Sequence, residues 1–255
     1  MENAPHIGFL KVLQSHTPDP HKPLALIRKE FSEFSIACQQ DNEPEPLVER
    51  VTIDENNLTG YFVSVEESAY GLTVLFFHGG RFTVGSTADH LWLITRIARA
   101  SGTRVLSVDY WLAPEHTFPS AVNNAINSYR WLIARGHSSH RINPMGISAG
   151  GNLVLSLLLS ARDLKLPLPA AAVCISPAMD LDFPGASVQK NREKDWITPE
   201  RLAAIRTSYL AGHNSVDPLA SPIHANLRNL PRVLVQAGMR EALYDDITSF
   251  IDKAR

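Results

Sequence analysis

The alternation of two apolar periods along residues 71–255 constrains the fold more than any other feature of this sequence. Short runs rich in β-branched and aromatic residues are separated by longer segments whose apolar residues recur at helical spacing. The predicted strands are 72–77, 104–109, 170–176 and 232–238, and the predicted helices are 89–100, 121–134 and 150–163. Such strands need crossover connections, so the pattern predicts an α/β protein with a mostly parallel, doubly wound sheet.

Three other stretches complete the predicted architecture. The runs VERVTI and LTGYFVSV, before residue 70, predict an antiparallel hairpin that joins the edge of the sheet. Residues 1–45 are polar and interrupted by prolines, and residues 178–225 are an insertion between two strands, with a helix predicted near 199–210. Because α/β sheets bind ligands at the carboxyl ends of their strands, we expect 1–45 and 178–225 to form a cap on a core of residues 46–255.

Charge and apolar run length exclude several classes of partner. The chain has 24 Lys and Arg against 26 Asp and Glu, a net charge of −2, without a basic stripe. This balance argues against a nucleic-acid partner. No signal-peptide pattern and no apolar run of about 18 residues occur, so we expect no membrane span and a cytoplasmic protein. Cys174 lies in an apolar run and is expected to be a core residue.

The pentapeptide Gly146-Ile147-Ser148-Ala149-Gly150 fits the pattern G-x-S-x-G, after a strand predicted at 140–145 and before a helix. In such a strand-to-helix elbow the serine takes a strained conformation, and its hydroxyl is exposed above the sheet. The helix N-terminus offers free N–H groups to a developing oxyanion. The motif predicts Ser148 as a nucleophile; the alternative is a glycine-rich turn whose serine caps the helix.

A second glycine-rich segment, His78-Gly79-Gly80-Arg81, follows a predicted strand 70 residues before Ser148. Glycines at such a turn let backbone N–H groups approach a substrate carbonyl and complete an oxyanion hole with the N–H of Ala149. We expect His78 to tie this loop to its neighbours rather than to act as the general base.

Six segments in order resemble one family. They are HGGRFTVGS, DYWLAPEHTFPSAVNNAINSYRWL, GISAGGNL, ISPAMDLDFPGAS, ASPIHANL and LPRVLVQAGMREALYDD. Residues 45–255 are thereby similar to the hormone-sensitive-lipase-like α/β-hydrolase esterases. The resemblance implies a capped α/β-hydrolase fold, short- to medium-chain carboxylic esters as substrates, and no metal or organic cofactor. It also implies oxyanion donors in the backbone N–H groups of Gly80, Arg81 and Ala149, and a possible homodimer.

The order Ser, acid, His along this fold places the acid after the strand RVLVQAG. Glu241, Asp245 and Asp246 are the candidates there. Glu241 matches the family position that carries Asp or Glu, whereas Asp245 and Asp246 fall in the next helical turn, where carboxylates stabilise an N-terminus. We therefore expect Glu241 to be the acid.

The base is missing from the pattern, because all ten histidines precede Glu241. The family places its histidine after one further strand, and a fold that ended at Arg255 would leave an edge strand unpaired. We therefore expect that the 255 residues lack a C-terminal segment. His213 and His224, near the insertion, are expected at the surface.

Three departures from the family pattern predict a divergent member. Arg81 replaces the usual third glycine, and a positive φ there would be strained. Trp111 and Asn124 replace an arginine and an aspartate whose loss could be mutually compensating. A ligand-binding protein, like the plant gibberellin receptors of this family, and an acyltransferase that uses the same residues remain alternatives to ester hydrolysis.

Overall fold

The structure is a computed structural model that describes residues 22–37, 45–66 and 68–255. The helices are α1 (Leu24–Ala37), α2 (Leu91–Ser101), α3 (Ser120–Ala134), α4 (Ala149–Asp163), α5 (Ser187–Lys190), α6 (Pro199–Ile205) and α7 (Tyr244–Ala254). The strands are β1 (Leu47–Thr52), β2 (Thr59–Ser64), β3 (Ala69–Phe77), β4 (Thr103–Asp109), β5 (Ile142–Ile147), β6 (Ala171–Ile175) and β7 (Arg232–Gln236).

The described strands form one sheet in the order β1-β2-β4-β3-β5-β6-β7. The first two strands are the predicted hairpin, and β2 joins β4 in antiparallel pairing. Every other neighbouring pair is parallel, for example Phe77 beside Gly146 and Ile147 beside Ile175. The predicted mostly parallel α/β sheet is confirmed, and β7 pairs within the described residues with β6 alone.

Alternate side chains of the central strands reach two separate apolar layers. Leu75 and Phe77 belong to the large layer packed by α3, α4 and α7, whereas Val74 and Phe76 pack against α2 on the opposite face. Because successive side chains of a strand point to opposite faces, a run of consecutive apolar residues is what a sheet covered on both faces requires. Cys174 is buried in the large layer, as expected.

The strand before Ser148 was predicted two residues too early, whereas the helix predicted in the insertion has the expected bounds. The strand before Ser148 is Ile142–Ile147 rather than 140–145, and His140 lies in a short 3-10 turn before it. Asn143 and Pro144 obscure the strand in the sequence, yet pairing with β3 and β6 extends it as far as Ile147. The helix predicted near 199–210 is α6 followed by a π-helical turn over Arg206–Leu210.

The two segments expected to form a cap are described in part. Residues 1–21 and 38–44 lie outside the described ranges. Within α1, Arg28 donates to the carbonyl of Thr83 at 3.0 Å and forms a bidentate pair with Glu115 at 2.7 and 2.8 Å. No helix among the described ranges is both long and apolar enough to cross a membrane.

The ends of the insertion 178–225 are fastened to α4 near Ser148. The Asn152 amide donates to the carbonyls of Ala178 and Ala220, at 2.8 Å each. The N–H of Ala178 also approaches the carbonyl of Ser148, at 3.3 Å. The insertion therefore begins and ends beside the helix that follows the candidate nucleophile.

Candidate active site

The candidate residues lie at one edge of the sheet because four neighbouring parallel strands end there. The loop with Gly80 and Arg81 follows β3, Ser148 follows β5, Ser176 follows β6 and Glu241 lies beyond β7. Parallel strands bring their carboxyl ends together, which is where α/β sheets hold ligands.

Ser148 occupies a tight turn between β5 and α4. Its φ of 55° and ψ of −116° lie outside the regions that residues with a Cβ ordinarily adopt. Gly146 and Gly150 make the turn possible, because a Cβ on Gly146 would lie 2.2 Å from the carbonyl oxygen of Gly150 and one on Gly150 would lie 1.9 Å from that of Phe77. The side chain is partly exposed, as the predicted elbow requires.

The loop after β3 turns directly against this elbow. A Cβ on Gly79 would stand 3.6 Å from the Cβ of Ser148 and 3.3 Å from the carbonyl oxygen of Ile147. Gly80 has a φ of 127°, and its carbonyl accepts the N–H groups of Thr83 and Val84 at 3.0 and 2.9 Å. The turn therefore presents its first residues to the serine.

The three expected oxyanion donors lie on the loop and at the start of the helix. Gly80 and Arg81 follow Gly79, and Ala149 is the first residue of α4, where backbone N–H groups have no partner within the helix. Arg81 has a φ of 58°, a positive value of the kind that is strained for a residue with a Cβ.

His78 supports the loop from beneath. It is fully buried, and its ring stacks on Tyr110 at 4.2 Å between centroids and on His90 at 5.4 Å. Its Nδ1 lies 2.7 Å from the carbonyl oxygen of Gly79, and the Tyr110 hydroxyl donates to the His78 carbonyl at 3.0 Å. Burial lowers the pKa of His78 to about 4, so the ring is neutral at neutral pH.

None of the histidines that the structure describes is hydrogen-bonded to Ser148 or Glu241. Five of them contact other groups. His90 lies against the carbonyl of Ser86 and His213 against that of Leu210. His116 contacts the ring of Trp111, His137 contacts Thr73, and His224 contacts Asp180. His213 and His224 are exposed, as expected, and so is His140.

Glu241 is half-buried and held by two donors on a single oxygen. Its Oε1 accepts the Ser176 hydroxyl at 2.9 Å and the N–H of Gly238 at 2.8 Å. Burial raises the pKa of Glu241, and so does nearby Asp195, whereas the two hydrogen bonds oppose that rise. The other oxygen, Oε2, has no hydrogen-bond partner among the described residues and can accept one from an imidazole.

Three side chains of the insertion hold the loop that carries Glu241. The Ser187 hydroxyl donates to the carbonyl of Ala242 at 2.6 Å, the Asn191 amide donates to that of Glu241 at 3.0 Å, and Asp195 accepts the N–H of Ala242 at 2.6 Å. These contacts were not predicted, because they join residues about 50 positions apart. Ser176 was also missed, although it ends a predicted strand beside the site.

The two other acid candidates serve the structure around α7. Asp245 accepts the N–H of Ser187 at 2.8 Å, and its own N–H returns to the Ser187 hydroxyl at 3.0 Å. Asp246 is buried, and its Oδ2 has no partner among the described residues. Both lie in the first helical turn, as expected.

Trp111 and Asn124 do touch, through the backbone of Trp111. The N–H of Trp111 donates to the side-chain oxygen of Asn124 at 2.8 Å. The contact depends on an acceptor at 124 and not on the side chain at 111. The indole ring itself lies 4.7 Å from the ring of His116.

No cluster of three or more metal-ligating side chains occurs in the described part of the chain. A strained serine between a parallel strand and a helix, faced by a glycine-rich loop, defines the α/β-hydrolase class. A family model described as "alpha/beta hydrolase fold" matches residues 74–255. The chain belongs to this family, in its hormone-sensitive-lipase-like branch.

Relatives of known name agree with that assignment. The chain is 43% identical over 178 residues to an acetyl-hydrolase of Streptomyces hygroscopicus, an alignment that covers 69% of this chain and 59% of the relative. It is 34% identical over 211 residues to an esterase of Acinetobacter venetianus, an alignment that covers 82% of this chain and 69% of that esterase. A crystal structure of an esterase from the bacterial hormone-sensitive lipase family superposes with a TM-score of 0.93 at 35% identity, covering all of this chain and 85% of that one.

Proposed function

We propose that this protein hydrolyses carboxylic esters with Ser148 as the nucleophile. The observation that carries the proposal is the packing of the Gly79 turn against the Ser148 elbow. This packing supports the proposal, because it brings a glycine-rich turn next to a partly exposed serine at the carboxyl end of a parallel sheet. The names of the acetyl-hydrolase and esterase relatives support the same reaction class.

In the proposed reaction the Ser148 oxygen attacks the acyl carbon while a histidine imidazole takes its proton. The N–H groups of Gly80, Arg81 and Ala149 stabilise the oxyanion of the tetrahedral intermediate. The imidazolium then protonates the departing alcohol. In the second half of the reaction water attacks the acyl carbon and gives its proton to the imidazole, and the Ser148 oxygen leaves with that proton. Glu241 orients the imidazole and stabilises its positive charge. None of the described histidines is hydrogen-bonded to Ser148 or Glu241, so the structure does not identify this histidine.

We propose short- to medium-chain acyl esters as substrates.

The proposed cap comprises the insertion 178–225 and residues 1–45, above the core 46–255. It is supported by the contacts of Asn152 and Arg28, which fasten parts of both segments beside the site. A cytoplasmic location and a homodimer stay predictions from the sequence and the family resemblance.

The test is hydrolysis of 4-nitrophenyl butyrate by the protein expressed from its complete reading frame. Ser148→Ala should lower kcat/KM by at least about 10³-fold, because the nucleophile is lost. Ser138→Ala, at an exposed serine, is the matched control and should leave the rate unchanged. Saturable binding without turnover would favour the ligand-binding alternative, and ester exchange with an added alcohol at the expense of hydrolysis would favour acyl transfer.

A further inference from the structure

A small cavity beside the oxyanion loop has a charge distribution that ester hydrolysis alone does not require. It has a volume of about 200 Å³ and lies between α1, the loop after β3 and α6. Its charged lining residues are Lys22, Arg81 and Arg201, and no Asp or Glu among the described residues lines it. The other lining residues are apolar or carry a hydroxyl, such as Thr83 and Ser208.

The charges on two of these three residues are not neutralised inside the cavity. Lys22 is paired with Glu30 at 2.6 Å. In the described ranges the guanidinium of Arg81 has no hydrogen bond or ion pair, and Arg201 donates only to the carbonyl of Trp196. The nearby carboxylate of Glu115 is already held by Arg28.

Burial makes this arrangement costly without an anion. Burial, and then the like charge of Arg201, lower the pKa of Arg81 to about 10, and burial also lowers the pKa of Arg201. Both groups remain charged at neutral pH. Two partly buried guanidinium groups that face the same space repel each other, and an oxyanion between them would reverse the sign of that interaction.

The position of Arg81 ties this cavity to the reaction centre. Its backbone N–H belongs to the proposed oxyanion hole, while its side chain lines the cavity. Arg201 lies in α6, within the insertion 178–225. A group held by both side chains would therefore lie beside the residue that supplies one of the proposed oxyanion donors.

We propose that Arg81 and Arg201 form a subsite for a compact oxyanion, a carboxylate or a phosphate, carried by the ester substrate. The inference rests on the proposed ester hydrolysis, which it narrows to esters with a negatively charged acyl or alcohol portion. Arginine suits this role because its planar fork binds carboxylate and phosphate oxygens in pairs. The apolar lining from Leu24, Ile27 and Ile205 suits the short methylene chain that separates the anion from the ester.

The test compares two esters that differ at the end of the acyl chain, 4-nitrophenyl hexanoate and mono-(4-nitrophenyl) adipate. We expect the complete protein to have the higher kcat/KM for the adipate ester. Arg201→Gln should lower the adipate-to-hexanoate ratio of kcat/KM by about tenfold to 100-fold, since a charge-assisted hydrogen bond is lost. Arg201→Lys, which keeps the charge, should restore most of the ratio.

Arg206→Gln is the matched control, because Arg206 lies in the next turn and pairs with Asp182 at 2.9 Å away from the cavity. It should leave the ratio at the wild-type value. A wild-type preference for the hexanoate ester, or a ratio that Arg201→Gln does not change, would overturn the proposed subsite. Hydrolysis of the hexanoate ester in those cases would leave the esterase proposal standing.

A binding measurement separates failure of the subsite from failure of the esterase. Monomethyl adipate and inorganic phosphate are titrated by calorimetry into Ser148→Ala, with and without Arg201→Gln. Affinity for either probe that falls about tenfold on loss of Arg201 supports the subsite even if neither ester is hydrolysed, and the tighter probe identifies the oxyanion. Equal affinities in both variants, or binding of neither probe, contradict it.

Discussion

Gly150→Ala should disrupt the serine elbow and destabilise the whole fold. A Cβ at this position would lie 1.9 Å from the carbonyl oxygen of Phe77, 2.5 Å from its carbonyl carbon and 2.6 Å from the carbonyl oxygen of His78. All three atoms are backbone of β3 and the loop after it, so no side chain can rotate away. Helix α4 and strand β3 would have to separate by about 1 Å.

The expected cost follows from the tight packing at this point. Overpacking of a core typically costs about 1–3 kcal/mol, and a clash with fixed backbone belongs at or above the upper end. Gly102→Ala is the matched control, because its added Cβ meets nothing within 4 Å and its φ of 61° costs only the left-handed strain, about 1–2 kcal/mol.

Urea unfolding followed by circular dichroism measures both free energies. We expect Gly150→Ala to lose about 3 kcal/mol or more, or to fail to fold, and to lose more than Gly102→Ala. A Gly150→Ala protein as stable as wild type would refute the close approach of α4 to β3, and with it the placement of Ser148 beside the Gly79 turn.

Three further outcomes are expected. Glu241→Gln should lower kcat for ester hydrolysis by about 10⁴-fold, because an amide favours the wrong imidazole tautomer. Asp245→Asn should lower kcat far less. If steady-state kinetics show the larger loss for Asp245→Asn, Asp245 is the acid. The 255 residues assayed alone on 4-nitrophenyl butyrate should show at most residual catalysis, roughly 10³–10⁴-fold over water. Robust turnover that Ser148→Ala abolishes would mean that one of the ten histidines reaches the serine. Burial, and then Asp180, raise the pKa of Asp246 from 3.8 to about 7, so wild type loses stability as the pH rises through that interval. Asp246→Asn should be more stable than wild type in urea unfolding above pH 7 and should match it below pH 4, and a difference that does not depend on pH would contradict the raised pKa.

The order of elements could be predicted because it depends on local periodicity. The runs around Phe77 and Cys174 are consecutive apolar residues, which is the pattern of strands buried on both faces. Gly146 and Gly150 could likewise be interpreted in advance, since their spacing around Ser148 is set by the geometry of a single turn.

The support of Glu241 could not be predicted, because it depends on tertiary contacts. Ser187, Asn191 and Asp195 reach the 238–242 loop across about 50 residues of chain. Nothing in the local sequence around them indicates a role, since each is a common polar residue within an irregular insertion. The hydrogen bond from the N–H of Trp111 to the side chain of Asn124 is another such contact, although both residues depart from the family pattern.

The sequence predicts only part of the role of Arg81. The sequence indicates that a positive φ would be strained at this position, and only the structure shows that φ is 58°. The direction of the side chain depends on how α1 and α6 pack around the loop, so its approach to Arg201 emerges only from the fold.

The central claim, that Ser148 is the nucleophile, is tested most directly by covalent capture. The complete protein is treated with phenylmethylsulfonyl fluoride, digested and analysed by mass spectrometry for the sulfonylated peptide. We predict one modified site, Ser148, with loss of ester hydrolysis in proportion to its modification, and no such adduct in Ser148→Ala. Hydrolysis that persists after full modification of Ser148, or that is lost through modification of a different residue, would contradict the account.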